Sequence, residues 1–478
     1  MSRFECHSHT MYSNLRLLDC INQPRALVDR AIEIGLTGIA ITDHESLSSF
    51  VELDKIQQEL IEQGSSFKIA RGDEIYLTDT RDKNQKYWHF ILIAKDAIGC
   101  KALRELSSIA WINSYFDRGL ERVPTLKTDL ENIITKYGKG HLIMSTACLG
   151  SELDHWILEM DKAEQEGRIA DRRFCYNQIV DFIQWCNSLA GDDFYLEVQP
   201  AQSKEQLTVN RWMKKIAKAM NKKIIVTTDA HYLRPEDRTI HKAFLNSKQG
   251  DREVDAFYEF CWLQTTEEVI QNLEGSGLDY YELEANTNEI YDKIELYTLH
   301  RKQQVPQVEV KDYPKESFAS HRYNPDKYPT LDFLSHSDNI QERYWINQCQ
   351  EALEAKGLNN ETYLDRLEEE ADTKKVIGEK LETCMFAYPI FLQHYIDLFW
   401  ECGSCIGAGR GSAGAGLNHY LLGITQTDPI KTNAPWFRYM NKDRVEIGDI
   451  DTDMDPTKRE LIFQKIREER GLLGCVQV

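Results

Sequence analysis

Two short spacings of metal-ligand type stand out, His7-Ser8-His9 near the start and Asp229-Ala230-His231 near the middle. In an extended segment residues i and i+2 share a side, so each motif offers two ligands to one centre. Imidazole with carboxylate suits zinc or manganese, and several such residues can hold a cluster of ions. Neighbouring divalent ions clamp a phosphate and supply a hydroxide nucleophile, which is phosphoesterase chemistry. Asp43-His44 and Glu74 add donors, each after a β-like run. A lone histidine is more often a packing residue. Two pairs of this type, both at expected strand ends, point to a metal centre.

A second constellation lies near the other end of the chain. Ile406-Gly407-Ala408-Gly409-Arg410-Gly411-Ser412-Ala413-Gly414-Ala415-Gly416 carries too many glycines for a helix interior. Such a turn lets backbone N–H groups approach a phosphate, with Arg410 and Ser412 as further donors. It lacks the Lys-Ser/Thr ending of a P-loop and the ribose-binding acid of a dinucleotide site. The run Asp449-Ile450-Asp451-Thr452-Asp453 places three carboxylates on one face of an expected strand. Like charges held so close call for a cation, and carboxylates with phosphate oxygens are a usual Mg²⁺ arrangement. An EF-hand reading fails, because its sixth position is Met454 rather than Gly and Pro456 intrudes. A glycine-serine turn beside an Asp-x-Asp strand is a minimal nucleotidyltransferase kit.

These residues need rigid elements behind them. Leu36–Thr42, His89–Ala94 and Lys223–Thr228 read as buried strands, and Pro24–Ile34 and Thr208–Met220 as helices. That alternation predicts a parallel α/β fold of barrel type, whose sites form at the carboxyl ends of the strands. From Thr265 to Leu299 the sequence turns helical and acidic. Arg301–Thr330, rich in Pro, Lys and Asp without periodicity, reads as a linker. Helical patterns resume from Asn339 to Cys402, followed by the glycine turn, a helix over Leu417–Leu422 and the acidic strand.

At 478 residues the chain has room for two or more cores. Hydrophobic content of 42% and charged content of 28% are ordinary for a globular protein. The net charge of −20 argues against gripping nucleic acid by bulk electrostatics, though a local basic groove is compatible with it. The 12 cysteines are scattered, no apolar run is long enough for a bilayer, and the start has no apolar signal core. Reduced thiols and a cytoplasmic location are the expectation.

The first motif set resembles the PHP family (polymerase and histidinol phosphatase) at His7-Ser8-His9, Thr42-Asp43-His44, Glu74, His89, Ser145-Thr146-Ala147-Cys148 and Thr228-Asp229-Ala230-His231. Carried over by position, the resemblance implies the ligands His7, His9, Asp19, His44, Glu74, His89, Cys148, Asp229 and His231, holding a Zn²⁺ or Mn²⁺ cluster. The segment Ser13–Asp19 is longer than the family's turn, so Asn14 competes with Asp19. Many polymerase PHP domains have lost ligands and serve as scaffold; the set here is kept, which favours an active 3′-5′ exonuclease.

The second set resembles the C-family replicative polymerases, the alpha subunits of bacterial DNA polymerase III. Gly409–Gly414, Tyr420–Thr425, Asp428-Pro429-Ile430, Phe437–Asn441 and Asp449–Asp453 occur in that family's order. The resemblance covers nearly the whole chain and fades between about Arg301 and Asn339. It implies a distorted (β/α)7-like PHP barrel over 1–280, a helical connection over 281–338, and over 339–478 the first part of an α+β palm similar to that of polymerase beta. Asp451 and Asp453 would be its catalytic, Mg²⁺-holding aspartates, and Arg410, Gly411 and Ser412 its nucleotide contacts. Gly448, Met454 and Ala415-Gly416 depart from the family pattern, touching packing and one phosphate contact rather than the carboxylates. Primer-template DNA and dNTPs are the implied substrates. A third aspartate, thumb and fingers are expected from a second polypeptide, with Gly474–Val478 as a strand beside it, and a sliding clamp would be reached through that partner. The competing classes are a stand-alone PHP phosphoesterase on a small substrate and a non-catalytic scaffold.

Overall fold

The computed structural model describes residues 2–82, 84–117, 120–247, 257–302, 305–306, 308–310, 319 and 321–470. The chain forms two compact units, Met1–His300 and Arg301–Val478.

The first unit is built on one sheet of eight strands: β1 (Phe4–Glu5), β2 (Gly38–Ile41), β3 (Lys68–Thr78), β4 (Trp88–Ala94), β5 (Pro124–Leu126), β6 (Leu142–Ser145), β7 (Phe194–Val198) and β8 (Ile224–Val226). Their order is β1-β2-β3-β4-β6-β7-β8, with β5 added beside β3. Every pairing is parallel except the two made by β4. Just past β1 and β8, Ser8 and Ala230 form a parallel bridge, so the sheet closes almost completely into a barrel. The strands are short β-branched and apolar runs such as Gly38-Ile39-Ala40-Ile41, buried on both faces as a covered parallel sheet requires.

Helices α1 (Pro24–Glu33), α2 (Phe50–Glu62), α3 (Ala97–Ile112), α4 (Lys127–Tyr137), α5 (Glu152–Gln165), α6 (Ile169–Ala190) and α7 (Lys204–Met220) wrap the barrel. Their starts follow capping rules: Pro24 opens α1, and the Asp96, Ser151 and Ser203 side chains accept N–H bonds at the starts of α3, α5 and α7. Leu27, Leu53, Leu103, Ile157, Ile179 and Val209 pack with the strands in one apolar cluster. After β8 come α8 (Arg238–Leu245), α9 (Thr266–Asn272) and α10 (Tyr280–Lys293). From α10, Ile290 joins the cluster that fills the barrel interior with Phe4, Ile91, Tyr195 and Ile225.

In the second unit the described residues are helical: α11 (Pro329–His336), α12 (Ile340–Ala355), α13 (Glu361–Leu381), α14 (Ala387–Glu401), α15 (Leu417–Leu421) and α16 (Arg459–Arg470). Trp345, Ile346, Leu367, Phe386 and Leu417 make its core. Helix α11 begins inside the stretch expected to be linker; residues 303–304, 307, 311–318 and 320 of that stretch lie outside the described residues. The acidic strand needs correction. Asp449–Asp453 runs extended with side chains alternately exposed and half-buried, but it joins no ladder. Its one β contact is the antiparallel bridge from Met454 to Ile406. Alternation fixes which side chains face out, whereas a strand also needs a neighbouring backbone to pair with. The strand expected over Gly474–Val478 lies outside the described residues. Among the described residues no helix is long and apolar enough to cross a membrane.

Candidate metal centre and acidic site

At the carboxyl ends of the barrel strands the side chains of His7, His9, Asp19, His44, Glu74, His89, Cys148, Asp229 and His231 meet; all are buried except the half-buried His89. His7 and His9 lie on either side of one Asp229 oxygen, with Nε2 atoms 3.2 and 3.0 Å from Oδ1. His44 Nε2 lies 3.0 Å from Asp19 Oδ2, and His231 Nε2 lies 3.6 Å from the same atom. Glu74 reaches both ways. Its Oε1 is 2.8 Å from His89 Nδ1 and 3.6 Å from His7 Nε2, while its Oε2 contacts His44 Nδ1 and sits 3.6 Å from His9 Nε2. Cys148 Sγ closes the far side, 3.5 Å from His89 Nδ1.

The donor atoms sort into compact groups: His9, His44 and His231; His7, His9 and Asp229; and Glu74, His89 and Cys148. Asp19 Oδ1 is buried with no hydrogen-bond partner, and Glu74 Oε2, Asp229 Oδ1, His44 Nδ1 and His231 Nε2 are buried facing only other atoms of the cluster, where neutral rings cannot satisfy all of them. Burying so many polar atoms unsatisfied is costly, and divalent cations at the centres of these groups would satisfy them together. The donor set fits zinc or manganese.

The electrostatics agree. Burial disfavours a charged His7, but Asp229 and Glu197 outweigh it and hold its pKa up to about 10. Burial, with His44 and His231 beside it, pushes His9 down to about 3. Burial works against the charge on Asp19 as well, yet His44 and His231 keep its carboxyl well below the usual range. Without metal the cluster balances its carboxylates with imidazolium protons.

Local backbone features serve these positions. Asp229 has φ +46° and Ala147, next to Cys148, φ +60°. Left-handed conformations cost a non-glycine residue about 1 kcal/mol or more and collect at functional sites. Gly150 has no room for a Cβ, which would lie 2.9 Å from the His89 ring. Asn14 and Asp19 take separate roles. The Asn14 side chain donates to the Cys20 carbonyl at 2.7 Å and accepts from the Asp19 and Cys20 amides, clamping the longer turn so that the Asp19 carboxylate reaches the cluster.

Sequence reasoning missed the supporting shell. Glu197 Oε1 lies 2.7 Å from His7 Nδ1 and accepts from Thr227 Oγ1 at 2.5 Å. The Tyr258 hydroxyl donates to Asp19 Oδ2 at 3.0 Å, and Asp43 accepts from the Thr10 amide and from the Ser13 hydroxyl. An acid inside the apolar run Phe194–Val198 was the available signal for Glu197. Tyr258 carried none.

In the second unit the glycine turn and the acidic segment come together. The Gly407 amide donates to the Asp453 carbonyl at 3.0 Å, and a Cβ on Gly411 would be 3.8 Å from Asp451 Oδ2. Arg410 Nη1 lies 3.2 Å from Asp453 Oδ1, with both side chains 63% exposed. Gly411 has φ +60°, and Gly411–Ala415 forms a 3₁₀ turn whose Ser412 is exposed. Behind it, buried Glu370 of α13 accepts the Leu417 and Asn418 amides at 2.7 and 2.9 Å and so caps α15. Arg366 bonds Glu370 and donates to the Ala415 and Ala434 carbonyls, bracing the turn from below. Asp449, Asp451 and Asp453 face solvent.

Residues 5–201 match the PHP domain family, and residues 337–478 match the family described as bacterial DNA polymerase III alpha NTPase domain. Asp229 and His231 lie beyond the first match and join the cluster through the fold. A DNA-directed DNA polymerase of Bacillus phage SPbeta is 38% identical over 502 residues, an alignment covering 99% of this chain and 38% of the relative. The DNA polymerase III subunit alpha of Aquifex aeolicus is 29% identical over 493 residues, with coverages of 99% and 38%. The chain therefore spans less than two fifths of these relatives' length. Among solved structures, a histidinol phosphate phosphatase from Lactococcus lactis is 16% identical, with a TM-score of 0.26, covering 51% of this chain and 92% of its own.

Proposed function

We propose, from the premise that the chain carries a PHP domain followed by a bacterial DNA polymerase III alpha NTPase domain, that it is part of a DNA-directed DNA polymerase whose PHP domain trims DNA 3′ ends. The observation that carries the exonuclease reading is the buried cluster with its unsatisfied carboxylate and imidazole atoms. Asp229, Asp19 and Glu74 would hold two or three Zn²⁺ or Mn²⁺ ions, with His7, His9, His44, His89, His231 and Cys148 completing their shells. Divalent ions bound there neutralise a phosphodiester and acidify water. The chain's own part is to fix the donors before substrate arrives: Glu197 orients the His7 ring, Tyr258 orients Asp19, and the rigid strand ends keep the geometry. The complete donor set favours an active domain over a scaffold.

In the second unit, Asp451 and Asp453 would hold Mg²⁺ against the primer 3′ hydroxyl and the nucleotide triphosphate. Arg410, Gly411 and Ser412 would contact that triphosphate. Support comes from the approach of the glycine turn to both carboxylates. Nucleotidyl transfer depends on positioning and charge neutralisation. In this reading the parts of the relatives that lie beyond the aligned residues complete the site and engage a sliding clamp.

The test uses labelled single-stranded and mismatched primers with Mn²⁺ or Zn²⁺. Shortening from the 3′ end is expected, lost in His44→Ala and His231→Ala; degradation unchanged in both variants would refute the exonuclease assignment. Primer extension by residues 1–478 joined to or mixed with the remainder of the polymerase should be abolished by Asp451→Ala, and unchanged extension in that variant would refute the palm assignment.

A further inference from the structure

Residues 204–223 carry seven lysines and arginines and a single glutamate, in a chain whose net charge is −20. Most of this segment is α7. Lys204, Arg211, Lys215 and Lys218 recur at spacings of seven, four and three, which places them along one side of the helix, and Lys222 follows just past its end. Lys204, Arg211, Lys214, Lys215 and Lys218 are exposed. Among the described residues, only Lys223 of the seven pairs with a carboxylate, that of Glu289. Arg211 donates to the Gly275 carbonyl at 3.0 Å and Lys214 to the Gly277 carbonyl, so both are held by neutral groups. Cations near a helix C-terminus favour the helix dipole, but that effect is confined to the last turn and leaves Lys204 and Arg211 unexplained.

The ridge is flanked by two grooves. One, of 670 Å³, is lined by Lys204, Arg211, Trp212 and Lys215 with Asp161 and Glu164 on its wall. The other, of 640 Å³, is lined by Lys214, Lys218, Lys222 and Lys223 with Asp192, Asp279 and Glu282 opposite. Asp161 is occupied by the Trp212 indole at 2.8 Å, and Lys215 Nζ stands 4.0 Å over that ring. The direction of the ridge matters. α7 starts just after β7, whose Glu197 bonds His7, so its Lys204 end lies on the metal-cluster side of the barrel and the Lys218 end on the opposite side. From Lys204 to Lys218 the ridge is about 21 Å long, so it can run along several consecutive phosphates of one strand.

We propose that a single DNA strand lies along α7, its phosphates on this cationic ridge and its 3′ end directed toward the metal cluster. The choice of strand and polarity rests on the exonuclease reading; the ridge itself rests on the unneutralised charge. Binding of a fluorescent oligothymidylate by the full chain is measured in chelator, so that binding and cleavage can fail separately. Lys204→Gln/Lys215→Gln/Lys218→Gln should weaken binding by about tenfold or more at about 50 mM salt and lower the log–log salt slope by about 2. A control, Lys55→Gln/Lys101→Gln, changes exposed lysines on α2 and α3 and should leave both unchanged. An unaltered slope in the triple variant would overturn the proposal. So would competition by polyglutamate of matched charge as strong as that by DNA, which would assign the ridge to an acidic protein. Intact binding with no trimming after metal loading would keep the ridge and remove the exonuclease.

Discussion

The two acidic centres of this molecule are built on opposite terms. In the first unit the carboxylates of Asp19, Glu74 and Asp229 are buried against imidazoles on strand ends, with oxygens no hydrogen bond satisfies. In the second, Asp449, Asp451 and Asp453 point into water from a segment held by one β bridge, with Arg410 as the only described ion-pair partner of Asp453. Burial makes compensation necessary for the first centre, by imidazolium protons or by metal ions, because uncompensated charge in a low-dielectric interior is costly. Exposure makes the second stable without one, so under the proposed reading its ions would arrive with the nucleotide. One centre is pre-organised by folding; the other would be organised by its substrate.

Breaking one centre should leave the other intact. The largest effect is expected from Asp229→Ala: loss of at least one metal equivalent by elemental analysis and a fall in 3′ trimming on the order of 10²–10³-fold. Primer extension by the complemented polymerase should survive, and joint loss would end the distinction between the centres. In the mirror experiment, Asp451→Ala should reduce complemented primer extension to background without changing metal content or melting temperature. Next in size, Glu197→Gln removes the carboxylate beside His7 and should weaken metal binding about 10–100-fold, read by competition with a chelating dye.

pH sharpens the contrast further. The folded pKa of His7 is raised to about 10, so its contribution to the stability of the metal-free domain is full below about pH 6.5 and lost as pH rises through about 10. His9 runs the other way. Its folded pKa, about 3, lies below the unfolded value, so its contribution is present above about pH 6.5 and lost as pH falls toward 3. Metal must displace the His7 proton, so near neutrality affinity should rise with pH, about tenfold per unit for each proton released. Calorimetry in buffers of different ionisation enthalpy counts those protons; a count of zero would contradict the charge balance described for the cluster. The smallest effect belongs to Arg410→Ala. Its pair with Asp453 is exposed, and removing it should shift stability by about 0–1 kcal/mol in a melt.

Periodicity made much of this legible. His7 and His9, and Asp229 and His231, could be placed because alternation and apolar runs locate strand ends. The helices α1 and α7 followed from apolar spacing, although α7 starts at Lys204, behind the Ser203 cap, four residues before the expected Thr208. The turn around Asn14 and Asp19 was open in the sequence, since both residues offer side-chain oxygens, and only the packing of that turn separates clamp from donor. Local pattern marks Glu197 as an acid in an apolar run and Asp43 beside His44, but their supporting roles, like that of Tyr258, arise from contacts between distant segments that pattern does not encode. The acidic segment shows the complementary failure, because a side-chain period of two specifies an extended backbone but not a ladder.

The bridge between Ser8 and Ala230 joins the first and last strands of the barrel, and the residues on either side of it are His7, His9, Asp229 and His231. The seam therefore also carries four of the proposed ligands, and during synthesis the two edges emerge far apart in time. At ordinary translation rates the first histidines would wait roughly ten to forty seconds for the last carboxylate to leave the ribosome. Until then an ion has only the early half of its shell, so barrel closure and stable metal capture should occur together, as one late event in the life of the nascent chain.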